Sequence, residues 1–189
     1  DTFETLYARQ VAMEAKPFAV GLRIQHPQTM INESQYGMAE CKELGPASYK
    51  LTAQTSSGRG VYSFCMCPGG YVVNASSESG RLAVNGMSYH DRAGENANSA
   101  LIVTVTPEDF SRDAKAGEES NPLSGIYFQR KLEEKAYEAG NGKIPVQLYE
   151  DFKDGKISEK FGEVRPAFCG EYQFANLREV LPEELSEAF

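Results

Sequence analysis

Tyr62-Ser-Phe-Cys-Met-Cys-Pro-Gly-Gly-Tyr-Val-Val-Asn74 reads as strand, tight turn, strand. Val61, Phe64 and Met66 supply β-branched, aromatic and long apolar bulk. Pro68-Gly69-Gly70 break the run, and Tyr71-Val72-Val73 resume it. A second strand pair follows in Leu82-Ala83-Val84 and Leu101-Ile102-Val103-Thr104-Val105. Between those two lies the stretch from Asn85 to Ser99, too polar and too rich in Gly and Asn to act only as a spacer. The sequence therefore describes a sheet with two loops that carry thiols, amides, a histidine and an arginine. Polar groups on loops held by a rigid sheet are a common way to build a binding site.

The 189 residues suffice for one substantial domain, or for a domain with a smaller appendage. With 41% hydrophobic and 24% charged residues, the composition is that of a folded globular chain rather than a disordered one. A net charge of −8 argues against a binder of nucleic-acid backbones, whose footprints are basic and clustered. Arg130-Lys131 sits among Glu133 and Glu134, as on a solvated helix face. No apolar run approaches the ~20 residues of a membrane span, and the polar, acidic first residues do not read as a signal peptide. The chain opens at Asp1 directly into a helical pattern with no lead-in, as expected of a piece cut from a longer polypeptide. Four cysteines (Cys41, Cys65, Cys67, Cys169) allow three pairings, but nothing else points to a stapled secreted fold. Cys65 and Cys67 would project to one face of a regular strand, where a bridge is strained, so reduced thiols and a cytoplasmic setting are expected.

Taken in order, Phe3, Leu6, Tyr7 and Val11 give a first helix. The stretch from Pro17 to Gln25 alternates as a strand, with Phe18, Val20, Leu22 and Ile24 on one face and Arg23 and Gln25 on the other. Pro27 ends it. A short helix over Gln28 to Tyr36 turns Met30, Ile31 and Tyr36 inward, and Tyr49 to Thr55 is another alternating strand. Beyond Val105 the character changes. Pro107 starts a helix, and Ser111 to Asn121 is charged and loop-like. Pro122 then opens the clearest helix, with Phe128, Leu132, Ala136 and Ala139 as its stripe and Gly140 as its stop. Val146 to Lys153 reads as a further helix, Ile157 to Phe174 as irregular, and Asn176 to Val180 and Pro182 to Phe189 as helical again. The expected fold class is α+β: an antiparallel sheet of about five or six strands with a C-terminal helical subdomain. Residues 1–106 form the β-rich body with its N-terminal helix, and residues 107–189 the helical appendage.

Several familiar signatures are missing. The chain has no G-x-G-x-x-G after a strand, no Walker loop, no H-E-x-x-H and no G-x-S-x-G. One C-x-C at Cys65 and Cys67, without a second pair, is a weak zinc signal, so no metal is expected. These thiols read first as half-buried lining, and second as reactive groups near the turn. Pro68-Gly69-Gly70 serves as a hairpin turn, while its glycines also let a backbone approach a ligand closely. Asn85-Gly86 reads as a turn; Arg92, Asn98 and Ser99 cap and tie their loop. Arg23 and Arg59 are solvated or receive a carboxylate. His26 before Pro27 reads more readily as structural than as an acid or base.

Four stretches together resemble one family. They are Asp1-Thr-Phe-Glu-Thr-Leu6, Ala15 to Pro27, Tyr62-Ser-Phe-Cys-Met-Cys-Pro-Gly-Gly70, and Asn85-Gly-Met-Ser88 with Ala97-Asn-Ser99. The family is the group of bacterial FAD-dependent, or NAD(FAD)-utilising, dehydrogenases. The resemblance implies a region inserted in a split dinucleotide-binding domain, namely a substrate-side or cap domain inactive without the FAD-binding part of the same polypeptide. FAD then belongs to the longer protein, NAD(P)H is left open as its co-substrate, and this chain alone is expected to hold no cofactor. The resemblance also implies a small β-barrel as the alternative to the open antiparallel sheet. By the same resemblance Cys67, Pro68, Gly69, Gly70, Asn98 and Ser99 face the flavin. Arg23, Asn85, Gly86, Ser88 and Arg92 face a small-molecule substrate, and Cys65, Cys67 and His26 are the candidates for proton delivery. An exposed apolar or glycine-rich face is expected where the flavin domain sits, and a second copy can pair through it. The competing readings are a stand-alone ligand- or partner-binding module and a zinc-stabilised interaction domain.

Overall fold

The computed structural model describes residues 2–111 and 121–189. The chain is α+β. Its main sheet has the order β1-β6-β3-β2, built from β1 (Phe18–Pro27), β6 (Asn96–Val105), β3 (Gly60–Cys67) and β2 (Thr52–Gln54), all antiparallel. β6 is the central strand. Its Val103 and Val105 are fully buried and its ten residues pair with all ten of β1. A smaller sheet, β5-β4-β8, comprises β5 (Val84–Ser88), β4 (Gly70–Asn74) and β8 (Phe168–Cys169). β7 (Ile144–Val146) and β9 (Tyr172–Phe174) form a third, two-stranded sheet. Among the described residues the sheets are open and no barrel closes. β4 with β8 and β7 with β9 run parallel, as their long connections permit.

Alternation along β1 fixes the layers. Phe18, Val20 and Leu22 pack with Val103, Val105 and Val61 against Phe110, Phe128, Leu181 and Leu185. Phe110 lies on α3 (Pro107–Ser111), Phe128 on α4 (Ser124–Ala139), and Leu185 on α6 (Glu183–Ser186). One apolar core thus spans residues before and after 106. Phe18 stacks on Phe110 at 5.5 Å between ring centroids. A second, smaller core joins Ile31 on α2 (Gln28–Tyr36) to Ala47 and Ala97, with Tyr49 and Met66 against it.

Several expectations change here. The helix expected over 146–153 starts later, as α5 (Tyr149–Asp154), because Val146 belongs to β7 and pairs with Phe174 of β9. The irregular stretch after Ile157 supplies β8 and β9, two short strands that borrow their partners from distant segments. Met30 is 49% exposed while Gln28 and Asn32 point inward. The first helix, α1 (Thr2–Ala8), buries none of its residues. Most of the loop expected between Ser111 and Asn121 lies outside the described residues.

Candidate functional site

β3 does not run straight through its cysteines. Phe64 pairs with Ala100 and Cys67 with Asn98, so three steps on β3 face two on β6: a bulge, with Cys65 in a left-handed conformation at φ +45°. Met66 turns into the smaller core and Cys65 is exposed. The two thiols therefore do not share one regular strand face, which corrects the expectation from C-x-C spacing. Cys67 Sγ donates to Cys65 O at 3.3 Å, and all four cysteines are free.

The bulge sends the carbonyl of Cys65 toward Arg23. That guanidinium links three strands: Nη1 donates to Asn98 Oδ1 on β6 and to Cys65 O (3.2 Å) on β3, and Nη2 lies 3.5 Å from Asn85 Oδ1 on β5. Asn98 is fully buried and its Nδ2 donates to Tyr71 O at 3.3 Å on β4. Gly86 completes the arrangement. A Cβ there would lie 2.0 Å from Arg23 Nη1 and 2.2 Å from Asn98 Oδ1, so only glycine lets β5 lie across the guanidinium. Arg23, Asn85, Gly86, Asn98 and Cys67, scattered in sequence, come together at one point.

The turn after Cys67 is covered. Pro68, Gly69 and Gly70 are buried. Gly69 adopts φ +53°, and a Cβ on it would lie 1.8 Å from Arg92 O; one on Gly70 would lie 2.3 Å from Met87 O. The backbone that approaches these glycines is the chain's own. Gly69 N donates to Gln28 Oε1 at 2.8 Å, Ser88 Oγ to Pro68 O at 2.8 Å, and Gly94 N to Gly69 O at 3.2 Å. Ser99 is fully buried, and its hydroxyl donates to Phe64 O (3.3 Å) and Ala100 O (3.1 Å). These donors are taken up internally.

Arg92 stands apart. With Ser88, Tyr89 and His90 it lines a shallow open depression of about 410 Å³ beside the Tyr71–Tyr89 ring stack, whose centroids are 4.8 Å apart. Burial and the neighbouring Tyr89 and Cys169 push the Tyr71 hydroxyl above its usual range. His26 is also apart from Arg23. Pairing with Ala97, it projects to the opposite face and packs on Tyr49 at 5.5 Å between rings. Its Nε2 and the Tyr49 hydroxyl are buried without a hydrogen-bond partner. Burial holds the imidazole below its ordinary pKa, hence neutral at neutral pH. The sheet itself separates His26 from the Arg23 side.

Sequence reasoning missed the amides under the turn. Gln28 Nε2 donates to Asn32 Oδ1 and to Ala47 O, both at 2.9 Å, and Asn32 Nδ2 donates to Ala39 O at 2.7 Å. Two amides at i and i+4 on a short helix with Ile31 between them were the available signal. Among the described residues no group of three or more His, Cys, Asp or Glu side chains is placed to hold a metal.

Against known proteins, residues 17–189 match the model of a family described as FAD-dependent protein, C-terminal domain-like. The chain belongs to that family. It is similar to an uncharacterised protein of Clostridium beijerinckii (strain ATCC 51743 / NCIMB 8052), 52% identical over 192 residues. The match takes in all of this chain but 35% of that relative, so the chain spans about a third of its length. It is thus a domain of an FAD-dependent protein family, and no helix among its described residues is long and apolar enough to cross a membrane.

Proposed function

We propose that this domain forms the substrate-side wall of an FAD-dependent dehydrogenase whose flavin is held by the remainder of the longer polypeptide. The observation that carries this reading is the family match over residues 17–189 joined to a relative of which the chain covers only 35%. Bound FAD would supply the two-electron chemistry, with NAD(P)H as the candidate donor, and the residues here would position and shield the substrate. The buried corner from Pro68 to Gly70, with Asn98 and Ser99, then acts as support: it fixes β5 over Arg23 and holds the loop that carries Arg92. Arg23, Asn85 and the exposed Cys65 are the groups of the assembled site that a small molecule can reach. A soluble, cytoplasmic setting suits its four free thiols.

The test is to purify the longer protein and record its visible spectrum with and without NADH or NADPH. A stoichiometric flavin that bleaches with one of the two nucleotides is the expected result. A longer protein that carries no flavin, even after reconstitution with FAD, would overturn the reading.

A further inference from the structure

The pairing of β1, β6 and β3 sorts one sheet face into rungs. Gln25, Asn98 and Cys67 make the first, Arg23, Ala100 and Phe64 the second, and Gly21, Ile102 and Tyr62 the third. Directly paired residues project to the same side, so all nine belong to one face. β5 and β4 lie across the first rung through Gly86 and Gly70. The rest of that face is less covered: β5 also crosses the Arg23 guanidinium through Gly86, while Phe64 is 56% exposed, Gly21 is exposed, and Tyr62, Ala100 and Ile102 are half-buried. Arg23 and Phe64 stand two strand spacings apart, about 10 Å at the backbone. The Arg23 guanidinium reaches over β6 toward Asn98 and Cys65, so the half-buried strip over Ala100 and Ile102 is a notch bordered by that cation and by the Phe64 ring.

The cation has an unused fork. Nη1 is bonded to Asn98 Oδ1 and Cys65 O, both neutral acceptors. Among the described residues Nη2 has only the 3.5 Å contact with Asn85 Oδ1, an oxygen that already accepts from Gly86 N at 2.8 Å. Nε donates to no protein acceptor and is not among the buried atoms without a partner, so solvent reaches it. Among the described residues no carboxylate pairs with Arg23, whereas Arg59 holds Asp109, Arg81 holds Glu78 and Glu134, and Arg130 holds Glu4 and Glu78. Nε and Nη2 side by side are the geometry that takes a carboxylate bidentately, and a partly desolvated guanidinium without a counterion gains most from one.

We propose that this notch binds a small carboxylate with a flat apolar body, an aromatic or conjugated acid. The carboxylate pairs with Nε and Nη2 of Arg23, and the body lies over Ala100 and Ile102 against Phe64. The proposal rests on the substrate-side reading and names the substrate class for it. A carboxylate side chain from elsewhere in the longer protein is the rival occupant.

The test is NMR on the 189-residue chain, following the Arg23 Nε–H and the Phe64 ring during titration with benzoate, acetate, benzyl alcohol and inorganic phosphate. Benzoate should move both signals saturably. Acetate should move Arg23 alone, at roughly tenfold higher concentration, and benzyl alcohol neither. Arg23→Lys, which keeps the charge but loses the fork, should weaken benzoate about tenfold. Ala100→Leu fills the notch from a half-exposed position and should abolish the Phe64 response while leaving the acetate response at Arg23. Benzoate no tighter than acetate, phosphate tighter than benzoate, or an unchanged benzoate titration in Arg23→Lys would each overturn the proposal. In the longer protein with flavin bound, benzoate that no longer reaches Arg23 would assign the notch to the rival side chain and overturn it too. Loss of the proposal leaves the flavoprotein reading standing, since that reading falls only if the longer protein holds no flavin.

Discussion

At the scale of single residues, Gly86 is the most constrained position around Arg23. A methyl group there would lie 2.0 Å from Arg23 Nη1 and 2.2 Å from Asn98 Oδ1; the fully buried Asn98 cannot retreat, so the Arg23 guanidinium has to move. Gly86→Ala should therefore destabilise the chain by about 1–3 kcal/mol through overpacking. It should also push the guanidinium off Asn98, visible as a changed Arg23 Nε–H signal in the folded protein. An unchanged urea midpoint would show that β5 gives way instead. Arg23 was legible in the sequence as a polar strand residue. Asn85 and Gly86, read as a turn after a strand at 82–84, instead lie within β5 and pair with Val73 and Val72. The convergence of the three was not legible. It depends on the side-chain amide of Asn98, which reads as a loop cap in the sequence but occupies a central strand.

At the scale of elements, the bulge in β3 decides how the site is put together. Cys65 holds φ +45°, a region that costs a β-substituted residue and not glycine. The side chain is exposed and has no packing to lose. Cys65→Gly should then leave stability unchanged or raise it by up to about 1 kcal/mol, and Cys65→Val should lower it by a similar amount, measured by urea denaturation. A loss on Cys65→Gly would mean that the thiol itself holds the bulge. The strand–turn–strand over residues 60–74, the helix over 28–36 and the long helix after Pro122 were all readable, since each has its own period and breaker. Two kinds of element were not. β6 begins at Asn96, where the sequence shows only polar residues: Asn96, Asn98 and Ser99 are buried strand positions whose side chains bond to backbone, so polarity misdirects the reading. β8 and β9 are two or three residues long and exist only through long-range partners, which no local pattern records.

At the scale of the whole molecule, the sheet and helical layers are joined by apolar packing and by ion pairs that include Arg59 with Asp109, and acid should loosen them in two separable stages. The first involves His26. Burial lowers its pKa in the folded chain below the ordinary 6.5, so the unfolded chain binds the proton more readily. Stability is full above about pH 6.5 and declines as pH falls toward the folded value. His26→Phe keeps a ring against Tyr49, removes the orphaned Nε2 and should flatten that decline. The second stage involves Asp109 on α3, whose carboxylate accepts from Arg59 Nη1 and Nη2, both at 2.8 Å, and from Thr106 N at 2.8 Å. The Arg59 guanidinium holds this carboxyl down at about 2 against an ordinary 3.8. The folded value is the lower one, so the stabilisation is complete above about pH 4 and is lost as pH falls through about 2. With the Arg59 and Asp109 side chains only 21% and 9% exposed, solvent screens the pair little, and it contributes about 2 kcal/mol at neutral pH. Asp109→Asn should lower the urea-derived stability at neutral pH by at least that amount, because Arg59 is left without its counterion. It should also remove the dependence between about pH 4 and 2 while leaving the His26 stage intact. An Asp109→Asn chain with the same acid limb as the parent would move the second stage to other carboxylates and deny the pair its part in joining the turn before β3 to α3.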